Sequence, residues 1–196
     1  KEFTCALDTR KRQIPKNKVL RILYAGNIGE GQGLHKILPA LARRLDEHAN
    51  FVVIGDGGQK KELKNVISKL AVENIELKAP VCRNQLINEY LRADVLFLHL
   101  NNHSAFEKVL PSKLFEYAAF NKPIFAGLCG YSAEFIDTEL SDCEVFTPCD
   151  VEEAVQKFHR LNLTVQPRLE FIKKFNRETI MTKMAENIFL VLTENV

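Results

Sequence analysis

Apolar residues in this chain come in short, dense runs separated by longer stretches in which they recur three and four positions apart. The runs are VLRILYA (19–25), NFVVIG (50–55), NIELKA (74–79), DVLFLHL (94–100), KPIFAG (122–127) and CEVFT (143–147). Several are nearly continuous in Val, Ile, Leu and Phe, which suits strands buried on both faces. Between them lie LHKILPALARRLDEH (34–48), GQKKELKNVISKLAVE (58–73), NQLINEYLRA (84–93), SKLFEYAAF (112–120), YSAEFIDTEL (131–140) and VEEAVQKFHRL (151–161), all with helical spacing. Alternation of this kind predicts an α/β fold: a Rossmann-like, doubly wound parallel sheet of about six strands with helices on both faces. Residues 1–18, with Lys11, Arg12, Lys16 and Lys18 around Pro15, read as a linker or lead-in strand. Residues 19–166 read as the sheet domain, and 167–196 as one or two helices (LEFIKKF and RETIMTKMAENIFLVL).

Composition narrows the function classes. With 196 residues, 46% of them hydrophobic, the chain can build a sizeable core, and a single domain is expected. A formal net charge of +2 is too mild for the basic stripe of a dedicated nucleic-acid binder, so no nucleic-acid partner is expected. Cys5, Cys82, Cys129, Cys143 and Cys149 are odd in number, form no C-x-x-C pair and are scattered through apolar stretches. That usage suits buried thiols in a reducing compartment and suggests a cytoplasmic location. No apolar run approaches the roughly 18 residues of a bilayer span, and no signal-peptide pattern opens the chain. The expectation is a chain that is not itself an integral membrane protein.

In open sheets of this class ligands bind beyond the carboxyl ends of the strands, so the loops that follow strands carry the chemistry. GNIGEGQG (26–33) is glycine-dense and opens a helix, an arrangement that lets backbone N–H groups approach an anion. It fits neither the dinucleotide fingerprint, which would need glycine where Leu34 or Lys36 stands, nor the G-K-[ST] ending of a P-loop. The alternative is a tight turn whose glycines supply positive φ. In GDGGQ (55–59), Asp56 stands either near a ribose or as a turn former. APVCRNQ (79–85) offers backbone groups to a planar base, or is a connection ended by Asn84 as a helix cap. NNHSAFEKVLPS (101–112) is the longest loop, and loops of this length are commonly functional or mobile. GLCGYS (127–132) is a further glycine-bounded turn. His99 and His103 lack companion ligands at workable spacing, so no metal site is expected.

The segment KVLPSKLFEYAAFNKPI (108–124) poses a question of charge. If Pro111 and Ser112 begin a helix, Glu116 lies about one turn inside and shares the sheet's carboxyl edge with the glycine loop. On one account Glu116 offsets the helix dipole and Lys113 is solvated. Yet Lys113 opposes that dipole, and the position for a capping-box acid holds Phe115. The favoured account puts a phosphate at this N-terminus, with Lys113 as counter-charge and Glu116 accepting hydrogen bonds from sugar hydroxyls.

These residues carry a family resemblance. GNIGEGQGL (26–34), IGDG (54–57), ADV (93–95) and above all LPSKLFEYAAFNKP (110–123) resemble the C-terminal, donor-binding half of the family-4 retaining glycosyltransferases of GT-B type, especially bacterial enzymes of O-antigen and capsule synthesis. The similarity covers roughly residues 19–190. It implies binding of a nucleotide diphosphate sugar, most simply a UDP-sugar, with no other cofactor and no metal, and transfer with retained anomeric configuration. The resemblance also implies a missing first half that carries the glycan or lipid-linked acceptor. The helix from about 178 would have lost the domain it crosses back to, and any membrane-surface contact would belong to the full-length enzyme. Carried over by position, Glu116 matches the second glutamate of the family's E-x7-E motif, which holds the donor ribose. The first would fall at Lys108, with Glu107 one residue out of register. The family's basic pair for the diphosphate would fall at Asn27 and Gln32, both neutral, so Lys113 and the amides of Gly29–Gly33 would carry more of that load. The candidate set is Lys113, Glu116 and Glu107 for catalysis, and Asn27, Gly29, Glu30, Gly31, Gln32, Asp56, Leu110 and Ser112 for the donor. Two other readings remain open, a sugar-nucleotide 2-epimerase half and a non-catalytic nucleotide-binding module.

Overall fold

The computed structural model describes residues 11–15 and 17–194, so Cys5 and Lys16 lie outside the described residues. In chain order the elements are β1 (Arg12–Gln13), β2 (Leu20–Ala25), α1 (Leu34–Arg44), β3 (Ala49–Ile54), α2 (Lys60–Lys69), β4 (Ile75–Lys78), α3 (Arg83–Arg92) and β5 (Val95–His99). They continue as α4 (Ser112–Ala119), β6 (Ile124–Gly127), α5 (Tyr131–Glu139), β7 (Cys143–Phe146), α6 (Val151–Arg160), β8 (Thr164–Val165), α7 (Leu169–Phe175) and α8 (Arg177–Glu194). Two 3-10 turns, Glu30–Gln32 and Ser104–Lys108, lie in the loops after β2 and β5.

Strands β2 to β7 form one parallel sheet in the order β4-β3-β2-β5-β6-β7. Successive side chains of a strand point to opposite faces. In β2, Ile22 and Tyr24 therefore enter one core with Leu34, Ile37 and Leu41 of α1. Leu23 and Ala25 enter the other with Tyr90, Leu114 and Tyr117 from α3 and α4. Both faces of the central strands β3, β2, β5 and β6 are buried, which is why their runs are nearly continuous, whereas the edge strands β4 and β7 are only partly buried. The chain leaves β2 toward β3 and β4, then crosses back to β5 on its other side. The loops after β2 and β5 thus flank the point where the winding reverses, the place at which open α/β sheets leave a crevice.

The expected elements are present, with corrections at their ends. Part of the lead-in segment is a strand, but β1 pairs antiparallel with β8 in a separate two-stranded sheet. Asn84 is not the cap of α3. Cys82 is the extended N-cap residue, and its amide donates to Gln85 Oε1 at 3.3 Å. β6 begins at Ile124 rather than Lys122, whose buried Nζ turns aside to donate to Leu91 O at 3.0 Å. The cysteines are less enclosed than expected: Cys82 is exposed and Cys129, Cys143 and Cys149 are half-buried, since they sit at element ends and turns.

The C-terminal segment is tied to the sheet by Arg168. Its guanidinium is buried, donating to Asp142 Oδ1 at 3.0 Å, Ala118 O at 3.1 Å and Lys122 O at 2.8 Å. Its amide donates to Asn121 Oδ1 at 3.0 Å. Side-chain exposures of 5% and 1% for Arg168 and Asp142 leave little water to replace a lost partner. Asp142→Ala is expected to cost about 3–5 kcal/mol in urea unfolding, because it strands a buried guanidinium. A loss below roughly 1 kcal/mol would show that the pair is not what anchors this segment.

Candidate functional site

The glycine loop after β2 is held from below by the residues that end β5. Asn101, 1% exposed, donates from Nδ2 to Glu30 O at 2.9 Å and Glu30 Oε1 at 3.0 Å, and from its amide to Gly31 O at 2.8 Å. Gly33 sits at φ 59 with Asn101 so close that a Cβ would meet its side chain at 2.9 Å. Gly31 faces Phe106 of the second loop, whose Cζ would lie 3.1 Å from an added Cβ. These glycines therefore serve close approach as well as turning.

Helix α4 is fixed to the same place. Tyr117 is fully buried, and its hydroxyl oxygen accepts from the Ala25 amide at 3.0 Å, at the very end of β2. The next residue, Gly26, opens the glycine loop. The loop after β2, the loop after β5 and the first turns of α4 thus share one edge of the sheet. Glu116 is not packed in hydrocarbon: its side chain is 22% exposed, and Oε2 accepts from Lys113 Nζ at 2.8 Å. Lys113 is 29% exposed, with Nζ 5.9 Å from the Tyr117 ring centroid. The account of Lys113 as solvated is corrected by this pair. An acid three positions on supplies a local reason for a cation in the first turn of α4, so the charge anomaly by itself does not demand an anion.

The remaining candidates fall into three groups. Asn27 and Gln32 meet: Asn27 Nδ2 donates to Gln32 Oε1 at 3.0 Å, and the Gly29 amide donates to the same oxygen at 3.2 Å. The Gln32 and Gly33 amides donate within the turn. Glu30 itself pairs with Lys36 at 3.0 Å, and that bond holds its carboxyl below the usual range. Asp56 lies in the loop after β3, which meets the glycine loop directly: Asp56 O accepts from the Ile28 amide at 2.8 Å. Its side chain is 67% exposed, with Oδ1 accepting from the Gly57 amide at 2.9 Å and 3.6 Å from Lys60 Nζ. Glu107 is exposed in the 3-10 turn, its carboxylate making no hydrogen bond among the described residues. Its backbone packs against Gly130, at φ 58, where a Cβ would meet Glu107 O at 2.3 Å. Leu110 packs on the second core, and Ser112 opens α4 exposed, with Pro111 as its N-cap residue. Asn101, Tyr117 and Lys36 escaped the sequence reading. An asparagine directly after the run DVLFLHL was the available signal, whereas Tyr117 reads as ordinary core.

Among the described residues there is no group of three or more His, Cys, Asp or Glu able to hold a metal, and no helix is long and apolar enough to cross a membrane. His99 is a satisfied strand histidine. It is 0% exposed, with Nδ1 2.7 Å from Gln32 O and Nε2 accepting from the Cys149 amide at 3.0 Å.

Residues 7–177 match the profile of the family Glycosyl transferases group 1, and the chain belongs to that family. Over 101 residues it is 35% identical to WcaI of Escherichia coli (strain K12), whose name assigns it to colanic acid biosynthesis as a glycosyl transferase. That match covers 52% of this chain and 24% of WcaI. Among solved structures, Anabaena HepE in complex with UDP and glucose aligns with a TM-score of 0.66 at 18% identity, over 87% of this chain and 48% of HepE. The catalytic domain of cholesterol-alpha-glucosyltransferase from Helicobacter pylori aligns with a TM-score of 0.58 at 14% identity, over 89% of this chain and 99% of that one. The chain thus spans about a quarter of WcaI and about half of HepE.

Burial pushes the His99 imidazole down to about 4 against its bond to Gln32, so it stays neutral when folded. An unfolded chain takes up that proton near pH 6.5 while the folded one refuses it until about pH 4. The His99 contribution to stability is therefore intact above pH 6.5 and is lost as pH falls toward 4, at up to about 1.4 kcal/mol per pH unit. In urea unfolding between those limits, His99→Gln is expected to show a flatter decline than the wild type. Parallel curves would contradict the buried neutral tautomer.

Proposed function

We propose that the crevice between the loops after β2 and β5 binds the nucleotide diphosphate sugar donor of a retaining glycosyltransferase of GT-B type, most simply a UDP-sugar. One observation carries this reading: Glu116, Lys113 and the glycine turn Gly29–Gly33 stand at the sheet's switch point, joined there by Tyr117, Phe106 and Asn101. Family membership supports a transferase, and the complex of HepE with UDP and glucose supports a uridine donor.

In this reading Glu116 accepts from the ribose hydroxyls while Lys113 and the loop amides take the diphosphate. The ion pair prepares both groups. When a phosphate draws Lys113 Nζ away, the Glu116 carboxylate becomes free for the sugar. A unit charge about 4 Å from a phosphate contributes around 4 kcal/mol at an effective dielectric near 20. Negative charge develops on the departing diphosphate in the transition state, so stabilising it is the main catalytic work. Asn27 and Gln32 contribute neutral hydrogen bonds, and Ser112 and Leu110 line the entrance to α4. Glu107, exposed on the turn whose backbone meets Gly130, is the candidate for the transferred sugar, and Asp56 lies at the margin.

The whole enzyme has a further domain that holds a glycan or lipid-linked acceptor, and it works in cell-surface polysaccharide synthesis on the cytoplasmic side. Within the chain, 19–166 forms the donor domain; of the segment 167–196, α7 packs on α4 through Phe171 and Phe175, and α8, with Met181, Met184 and Ile188 exposed, packs on the acceptor domain. Alone, the chain binds donor weakly and transfers nothing, since closure of two domains completes such a site and excludes water.

Calorimetric titration with UDP and uridine tests the roles. Glu116→Ala is expected to weaken both ligands about tenfold, close to 1.4 kcal/mol, without unfolding the chain. Lys113→Ala should weaken UDP far more than uridine. Unchanged affinity in the first variant, or equal losses in the second, would remove those residues from the site.

A further inference from the structure

Lys36 stands in the first turn of α1, behind the N-cap residue Gly33, and no acid shares that turn. A cation there opposes the helix dipole, as Lys113 does in α4. Each is answered by a carboxylate, but Glu116 comes from the same helix as Lys113, whereas Glu30 reaches back from the glycine loop. Glu30 Oε1 accepts from Lys36 Nζ at 3.0 Å and from Asn101 Nδ2 at 3.0 Å, and Oε2 lies 3.7 Å from His35 Nε2. Lys36 Nζ also donates to Asn101 Oδ1 at 3.3 Å. Bonded to Glu30 of the loop after β2 and to Asn101 of the loop after β5, the ammonium sits between the two loops that flank the crevice. These donors form a cradle for an anion, built on an asparagine that water does not reach. The anion now in it is the chain's own. Lys36 and Glu30 are 40% and 52% exposed, and a pair so open to water is weakly held. The turn does not need the carboxylate, because Asn101 also holds the backbone, at Glu30 O and Gly31 O.

Resting on the donor-site reading above, we propose that Glu30 is a built-in stand-in for phosphate. Its carboxylate occupies Lys36 until the donor's diphosphate displaces it and takes Lys36 as a second cation beside Lys113. Lys36 then supplies charge that the neutral pair Asn27 and Gln32 cannot. The stand-in also sets specificity. With both cations already paired, the empty crevice attracts stray anions weakly, and a ligand must bring more negative charge than one carboxylate to make the exchange favourable. A nucleoside without phosphate leaves the Lys36–Glu30 pair as it is.

Glu30→Gln keeps the shape of the side chain and an oxygen for Asn101, and removes the charge. In calorimetric titration it is expected to bind UDP about fivefold tighter than the wild type, with uridine unchanged. Lys36→Met keeps most of the stem and is expected to weaken UDP about fivefold, again with uridine unchanged. In NMR the side-chain amide of Asn101 should shift along the UDP saturation curve and stay still with uridine, since only phosphate breaks its bond to Glu30. Unchanged or weaker UDP binding in Glu30→Gln, wild-type UDP affinity in Lys36→Met, or an Asn101 amide that ignores UDP would each overturn the exchange. With Lys113→Ala still impaired toward UDP, the donor-site reading would survive that result. Equal changes for UDP and uridine would overturn the exchange too, by showing that the variants act through the shape of the loop. Should Lys36→Met fail to fold, the gain in Glu30→Gln decides alone. Failure of the wild-type chain to bind either ligand would overturn both readings together.

Discussion

The candidate site depends on one buried hydrogen bond, from the Ala25 amide to the Tyr117 hydroxyl at 3.0 Å. β2 and β5 pair through only two residue pairs, Ile22 with Val95 and Leu23 with Leu96. Beyond them the Gly26 amide still finds Ile54 O of β3, so the Ala25 amide, pointing the other way along the strand, faces the gap on the β5 side. A buried N–H without an acceptor is costly, and Tyr117 supplies one from α4. The strands are thus free to separate at their carboxyl ends, and the helix that carries Glu116 is registered against the start of the glycine loop. Opening of the crevice and placement of its polar side chains follow from the same contact.

Around that contact the loops are assembled by close approach rather than by charge. Asn101 takes a backbone carbonyl, a carboxylate and, through its Oδ1, Lys36 Nζ at 3.3 Å. Glycine at 31 and 33 admits Phe106 and Asn101 to the backbone. The basic pair that the family resemblance implies is replaced by Asn27 and Gln32, which bond to each other. The positive potential that remains comes from Lys113, from Lys36 held by Glu30, and from backbone amides. In the proposed reading these groups meet a diphosphate, an anion that brings its own hydrogen-bond acceptors.

The sheet was legible because strands buried on both faces require nearly continuous apolar runs, as in β2, β3, β5 and β6, and the runs at 74–79 and 143–147 mark the partly buried edge strands β4 and β7. What escaped were pieces too short for periodicity: β8, two residues long, and the 3-10 turns at 30–32 and 104–108. Lys113 and Glu116 were legible as a linked pair of charges, but their mutual bond was not, because the dipole reasoning considered each charge against the helix and not against the other. Asp56 was left between ribose and turn, because its contact with the Gly57 amide is compatible with either role. Asn101 and Tyr117 were hidden for a common reason. A polar atom at the end of an apolar residue, or directly after an apolar strand, is invisible to a pattern that separates only apolar from polar.

The most direct measurement is an amide-resolved NMR titration of the chain with UDP, alongside GDP and ADP as competitors for the same edge. A single crevice predicts that amides of 26–33 and 110–117 shift together along one saturation curve, with UDP the strongest ligand. Shifts confined to one of the two segments, or two segments saturating at different concentrations, would contradict a common site built across the Ala25–Tyr117 contact.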